Sequence, residues 1–290
     1  MMPVSASTPP CLTRQTALIT GASGGIGRAI ARAMAAAGAR VILNDLPARR
    51  AAGEATVASI VAAGGEAHFI AADVSEEAAV LAMFQAAAPV HILVNNAGIE
   101  TAAPVEALTM AEWQRVVDVN LNGAFLCGRE AVRAFKRQGV DPGLSCHAGK
   151  ILFISSIHES VARLNHAAYA AAKAGTMMLM RSLALEAGPA GVRVNGISPG
   201  ITRSQMTAAM TEDATCHAAM AASIPLQRIG EPEDVARLAV WLASDQAAYI
   251  HGASVVIDGG MSLQMNARRF PGALRDQLAL ALKRRLRLAK

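Results

Sequence analysis

Short, wholly apolar runs alternate along the chain with longer stretches rich in alanine. "QTALIT" (15–20), "RVILND" (40–45), "AHFIAADV" (67–74), "HILVNNAG" (91–98), "KILFISS" (150–156), "VRVNGISPG" (192–200) and "ASVVIDGG" (253–260) show no polar/apolar alternation. Runs of this kind are strands buried on both faces. Between them the pattern turns helical: Arg28–Ala37 stopped by Gly38, a helix ending near Ala63 before Gly64-Gly65, then 76–88, 112–137, 167–186 and 232–243. Strand and helix in turn predict an α/β fold, a single doubly wound parallel sheet of about seven strands with helices on both faces. No repeat or linker divides the pattern, so residues 14–262 read as one domain. A flexible tail is expected at 1–13 and an extension at 263–290, while "GVDPGLSCHAG" (139–149) reads as an exposed loop.

Composition changes this picture little. The 290 residues are 53% hydrophobic and 17% charged, enough to bury a large core. No run reaches the length of a membrane span, and the N-terminus lacks the apolar segment of a signal peptide. Cys11, Cys127, Cys146 and Cys216 are scattered without metal or disulfide spacing, so no metal site is expected and a reducing cytoplasm is the natural compartment. The net charge of +5 misleads, because residues 266–290 carry a net +7 and the rest −2. Basicity confined to a tail gives no reason to expect a nucleic-acid partner.

Two motifs carry chemistry. "TGASGGIG" (20–27) sets Gly21, Gly25 and Gly27 between a strand and a helix. Such glycines let backbone approach a pyrophosphate that meets the positive end of the helix, with Ser23 and Ile26 in the same turn. Asp45 stands 24 residues past Gly21 at the end of the second strand, where a carboxylate can accept from an adenosine ribose. It also reads as a turn former before Leu46-Pro47. As a ribose ligand it would repel a 2′-phosphate by roughly 1–4 kcal/mol at ~4 Å, which favours NAD over NADP.

The second motif is "YAAAK" (169–173), holding one of only two tyrosines in the chain. In a helix Tyr169 and Lys173 lie one turn apart on one face. Bringing a phenol of pKa ≈ 10 near neutrality needs about 4 kcal/mol. An ammonium at ~5 Å in an effective dielectric of ~20 supplies about 3 kcal/mol. Alone, the pair reads equally as surface packing of the lysine stem on the ring.

With "NNAG" (95–98), "VNL" (119–121), Ser156 and "SPG" (198–200) in this order around both motifs, residues 14–262 resemble the short-chain dehydrogenase/reductase family, a Rossmann-fold family. The resemblance implies a catalytic set of Asn120, Ser156, Tyr169 and Lys173. Tyr169 would be the acid/base, and Lys173 its electrostatic tuner and the holder of the nicotinamide ribose. Ser156 would bond the reacting oxygen, and Asn120 would anchor a proton-carrying water. It further implies cofactor contacts at Asp73, Val74, Asn96, Ala97, Gly98, Pro199, Gly200, Thr202 and Ser204, with Ser75 competing as a helix cap. A homotetramer is implied, with helices 112–137 and 167–186 at a four-helix interface.

"NNAGIE", "ISSIHE" and "IGEPED" look most like glucose 1-dehydrogenases and related sugar or polyol dehydrogenases. Glu100, His158 and Glu159 would then gather near Ser156, suiting a small substrate with several hydroxyls; Glu100 and Glu159 read equally as structural or subunit contacts. Arg203 stands where glucose-oxidising relatives tend to carry Asn, so it would welcome an anion or remain a surface arginine. A 3-oxoacyl-carrier-protein reductase is the competing reading, disfavoured by Asp45. In the extension, Leu274, Leu278, Leu282 and Leu286 recur every fourth residue, a helical line expected at a subunit contact.

Overall fold

The computed structural model describes residues 11–204, 207–208 and 213–265. The expected N-terminal tail up to residue 10 and the leucine-lined helix of 271–290 lie outside these residues. Seven strands form one parallel sheet: β1 (Thr16–Thr20), β2 (Arg40–Asp45), β3 (Glu66–Ala71), β4 (Ile92–Asn95), β5 (Gly149–Ile154), β6 (Val192–Pro199) and β7 (Ser254–Ile257). Their order is β3-β2-β1-β4-β5-β6-β7. The order reverses between β1 and β4, and a crevice at the C-terminal ends of those strands is where doubly wound sheets bind ligands.

Two layers of core follow from the period-two geometry of the strands. Ile19, Leu43, Val94 and Ile154 face α1 (Gly25–Ala36) and α8 (Pro232–Ala243). Leu18, Ile42, Leu93, Ile151 and Phe153 face α3 (Glu77–Ala87), α5 (Gly123–Gln138) and α6 (Ala167–Ala187). Successive residues of a strand therefore serve opposite layers, which is why the runs had to be apolar throughout. The remaining helices are α2 (Arg50–Ala62), α4 (Met110–Val117), α7 (Ala214–Ser223) and the short α9 (Met261–Met265).

Several boundaries depart from expectation for local reasons. The helix read as 112–137 is two helices, α4 and α5, joined by a π-helical turn over Asp118–Asn122. A Thr109–Glu112 capping box starts α4 at Met110, satisfying N–H groups that the first turn leaves open. β3 stops at Ala71, because Asp73 accepts from the backbone and hydroxyl of Ser75 (2.9 and 2.7 Å) and turns the chain. Ser75 therefore does not cap α3; Glu76 holds the N-cap position without a side-chain bond. β7 ends before Asp258, whose carboxylate takes the N–H groups of Gly260 and Ser262. The 139–149 loop is only partly exposed: Ser145, Ala148 and Gly149 are buried, and Gly149 opens β5.

Candidate active site

The glycine turn leaves β1 and enters α1 directly. Gly21 has φ +64°, and a Cβ there would sit 2.9 Å from the Ala97 Cα; one on Gly27 would lie 2.5 Å from the Asn96 amide. Only glycine lets the turn nest against the end of β4. Asn96 fastens that contact, donating to the carbonyls of Thr20 (2.9 Å) and Gly21 (3.1 Å). Gly24 caps α1 with no side-chain bond, and no acidic residue occupies the first turn. The N–H groups there remain turned to any anion, and the helix dipole favours one. The turn thus fits a dinucleotide pyrophosphate on its own geometry.

Asp45 lies beside this turn. Its carboxylate accepts from Ser23 N (3.1 Å) and Leu46 N (2.9 Å), which holds it over the turn at the end of β2. Ser23 Oγ is buried without a partner. Arg50 is engaged elsewhere, 3.3 Å from Glu54 and stacked over Phe69. The Oδ1 of Asp73 takes both bonds from Ser75, and Val74 beside it packs against Gly123.

The four residues of the expected catalytic set come from three elements and meet at the C-terminal end of β4 and β5. Ser156 follows β5, Tyr169 and Lys173 lie in the first turns of α6, and Asn120 sits in the π-turn. All four are buried. The Ser156 hydroxyl lies near enough to the Tyr169 phenol to pull its pKa down and accepts from His158 N at 3.2 Å. Lys173 Nζ donates to the Ile154 carbonyl (2.9 Å) and lies 5.6 Å from the Tyr169 ring centroid. Gly98 permits this crowding, since a Cβ on it would stand 3.1 Å from Asn120 Oδ1 and 3.7 Å from Lys173 Nζ.

Asn120 is tied to the chain after β4. Its side-chain amide accepts from Ile99 N and donates to Ile99 O, both at 2.8 Å, which leaves one N–H and one lone pair. Its backbone carbonyl takes the Thr176 hydroxyl at 3.0 Å and has a second lone pair to offer a water. The irregular turn is what allows this: a π-bulge reorients one residue within a helix, frequently at functional sites.

Burial dominates the electrostatics of the pair. Burial pushes Tyr169 up to about 12, against the pull of the Ser156 hydroxyl, with Glu100 raising it further. Burial pushes Lys173 down to about 8, with Glu159 opposing. Desolvation disfavours both charged forms, and so favours the protonated phenol, the form that donates to a carbonyl oxygen.

Around Tyr169 the rim is polar but largely committed. Glu100 lies 3.4 Å from Arg163 and 3.6 Å from His166. The His158 ring meets Tyr169 edge-on at 6.3 Å, its Nδ1 2.9 Å from the Val161 carbonyl. Glu159 Oε2 and Ser155 Oγ are buried with no hydrogen-bond partner. Arg203 is held by both carboxylate oxygens of Glu231 (3.2 and 3.1 Å), so its charge is not waiting for an anion. Beyond Pro199 and Gly200, the Thr202 hydroxyl bonds Gly200 O at 3.2 Å. Ser204 packs within reach of Gly25 and shares a contact with Thr207.

Sequence reasoning missed Arg163, His166 and Thr176. The first two lie more than sixty residues from Glu100 (|i−j| is 63 for Arg163), so no local spacing announces them. His91 accepts from Thr16 N at 3.0 Å and ties β1 to β4. A cavity of ≈ 520 Å³ lined by Arg14, Arg40 and His91 lies at the opposite end of the strands and touches none of these groups.

Comparison with known proteins agrees with this geometry. A family model described as enoyl-(acyl carrier protein) reductase matches residues 21–262. The chain belongs to the short-chain dehydrogenase/reductase family, nicotinamide-dependent oxidoreductases that interconvert hydroxyl and carbonyl groups. It is 43% identical over 256 residues to 3beta-hydroxysteroid dehydrogenase 1 of Eggerthella lenta, covering 87% of this chain and 95% of that one. Identity to glucose 1-dehydrogenase 2 of Bacillus subtilis is 34% over 258 residues, 87% and 96% of the two chains. The crystal structure of a gluconate 5-dehydrogenase from Burkholderia cenocepacia with NADP and tartrate superposes with TM-score 0.80 at 31% identity, covering 88% of this chain and 97% of that one.

Proposed function

We propose that the protein is an NAD-dependent dehydrogenase of a secondary alcohol on a small polar substrate, a sugar or polyol. The observation that carries the chemistry is the buried Ser156–Tyr169–Lys173 group at the C-terminal end of β4 and β5. When bound, the dinucleotide supplies the acceptor or donor of the hydride. Gly21, Gly25, Gly27 and the first turn of α1 would hold its pyrophosphate, Asp45 its adenosine ribose, and Asn96 to Gly98 the space beside the tetrad. In reduction the Tyr169 hydroxyl gives its proton to the carbonyl oxygen, which Ser156 Oγ also bonds. In oxidation the same phenol oxygen must first be emptied of its proton. Lys173 Nζ then stabilises the phenolate, and the Asn120 carbonyl offers the next acceptor on the way to solvent.

NAD is favoured by Asp45, whose charge at ~4 Å from a 2′-phosphate costs roughly 2 kcal/mol, ~30-fold in kcat/KM. The relatives' NADP complexes make this the point to measure. Parallel assays with NAD and NADP should show that preference, and Asp45→Ala should narrow it by losing affinity for NAD. Equal use of both by the wild type would refute the assignment.

Ser155 Oγ and Glu159 Oε2, buried without partners close to Ser156 in the chain, support a hydroxylated substrate, because a site built of such groups rejects ligands that leave them unpaired. The 43% identity to a hydroxysteroid dehydrogenase supports a second reading, an alicyclic alcohol. A screen of sugars, polyols, hydroxysteroids and oxoacyl thioesters, followed by absorbance of the reduced nicotinamide, separates them. Turnover confined to hydroxysteroids would overturn the sugar reading. We also propose a cytoplasmic homotetramer, supported by Phe125, Met178 and Leu185 exposed on α5 and α6. Light scattering after size-exclusion tests the assembly.

A further inference from the structure

At the end of the sheet away from the tetrad, a second cluster has no part in this chemistry. Cys146 and His147 close the loop before β5, and Asp245 opens the turn after α8. One ligand atom from each residue lies within 4.8 Å of the others. We propose that Cys146, His147 and Asp245 bind a divalent transition metal, with Zn²⁺ the best match.

Cys146 Sγ stands 3.0 Å from His147 Nδ1, which is 3.9 Å from Asp245 Oδ1. Ligands of one tetrahedral zinc lie roughly 3–4 Å from each other, so little movement is needed. The surroundings already orient them. Asp245 accepts from Ser145 Oγ at 2.7 Å and from Cys146 N at 3.1 Å, bonds that hold the thiol beside the carboxylate. The His147 ring also lies near the Ala248 backbone, and a backbone carbonyl behind a ligating imidazole is the usual outer support of a metal site.

One sulfur, one nitrogen and one carboxylate oxygen select zinc, cobalt or nickel over magnesium or calcium, with water in the fourth position. Lys150 Nζ, 3.4 Å from Asp245 Oδ1, opposes the added charge, as does Arg193. Thiolate and carboxylate together answer it, so binding is expected to be weaker than in a closed four-ligand site. An ion here would tie two loops 99 residues apart in sequence and brace the base of the sheet.

The test is titration of the full-length protein with Co²⁺, followed by thiolate-to-cobalt charge-transfer absorption and by competition with Zn²⁺. One equivalent per chain is expected, and Zn²⁺ should raise the thermal midpoint. Cys146→Ala removes an exposed side chain and leaves turnover unchanged. It should abolish the band and weaken binding by at least ~10-fold, the lower limit for losing even outer support. Cys216→Ser, altering a thiol outside the cluster, should leave both intact. Absence of the band, or its persistence in Cys146→Ala, would overturn the proposal.

Discussion

The protein buries two lysines at opposite ends of one strand and its helix layer, and treats them differently. Lys150, at the start of β5, is 1% exposed. Its ammonium donates to Gln15 Oε1 (2.8 Å) and Ser145 Oγ (2.5 Å), with Asp245 as counter-ion at 3.4 Å. Lys173, beyond the far end of the same strand, is 5% exposed. It donates to the Ile154 carbonyl and faces a tyrosine ring, with no carboxylate in salt-bridge reach among the described residues. Burial lowers the pKa of both, but only Lys173 is pushed to about 8. A saturated ammonium serves structure, whereas one left short of partners keeps donors for a ligand and bears the cost of its burial.

The same contrast runs through the two ends of the sheet. Buried polar atoms without partners include Ser23 Oγ, Ser155 Oγ and Glu159 Oε2 at the C-terminal end, against Arg193 Nε at the other. Around Lys150 and Asp245, hydrogen bonds close on one another. Stability at one end and readiness at the other is the arrangement that a doubly wound enzyme requires.

The largest expected effect comes from removing the proton itself. Tyr169→Phe keeps the ring packed but should lower kcat by about 10³-fold or more while the dinucleotide still binds. Steady-state rates and a cofactor binding isotherm check this, and retention of more than a few per cent of the rate would remove Tyr169 from the mechanism.

Next is a pH signature of Lys173. Its folded pKa of about 8 lies below its ordinary value of 10.5, so the charged lysine costs stability below about pH 8. That cost, roughly 3 kcal/mol at full size, fades as pH rises towards the unfolded value. Tyr169, raised from 10.0 to about 12, acts with the opposite trend above pH 10. Urea unfolding of wild type and Lys173→Met between pH 7 and about pH 10 should show the wild type gaining on the variant throughout. A constant gap would mean that Lys173 is not depressed.

A smaller effect is expected at the π-turn. The Thr176 hydroxyl bonds Asn120 O (3.0 Å) and Ala172 O (2.8 Å) with one proton. Thr176→Val should cost about 1 kcal/mol of stability and lower turnover far less than Tyr169→Phe. A loss of rate equal to that of Tyr169→Phe would place Thr176 itself in the proton path.

Much of this was legible in the sequence where the signal is local. The buried strands declare themselves through uninterrupted apolar runs such as Leu18-Ile19 and Ile151–Ile154, and Tyr169 and Lys173 through helical spacing. Long-range pairings were not legible. Nothing near Asn120 shows that its amide will pair with the Ile99 backbone or that a π-turn will divide the helix there. The commitment of Arg203 to Glu231, and of Glu100 to Arg163 and His166, depends on loops folding together. Cys146 and His147 look unremarkable until the chain returns with Asp245. The burial that raises the Tyr169 pKa belongs to the packed site and cannot be read from the Tyr–Lys spacing.

The most direct test compares Lys173→Met with Lys150→Met in one experiment, measuring turnover and urea unfolding at neutral pH. Lys173→Met should lose about 10²-fold or more in kcat/KM with no loss of stability. Lys150→Met should keep turnover within a few-fold and lose roughly 1–3 kcal/mol, as Gln15 and Ser145 are left without their donor. The opposite assignment of the two losses, or equal losses in both variants, would contradict the division between a lysine held for structure and one held for chemistry.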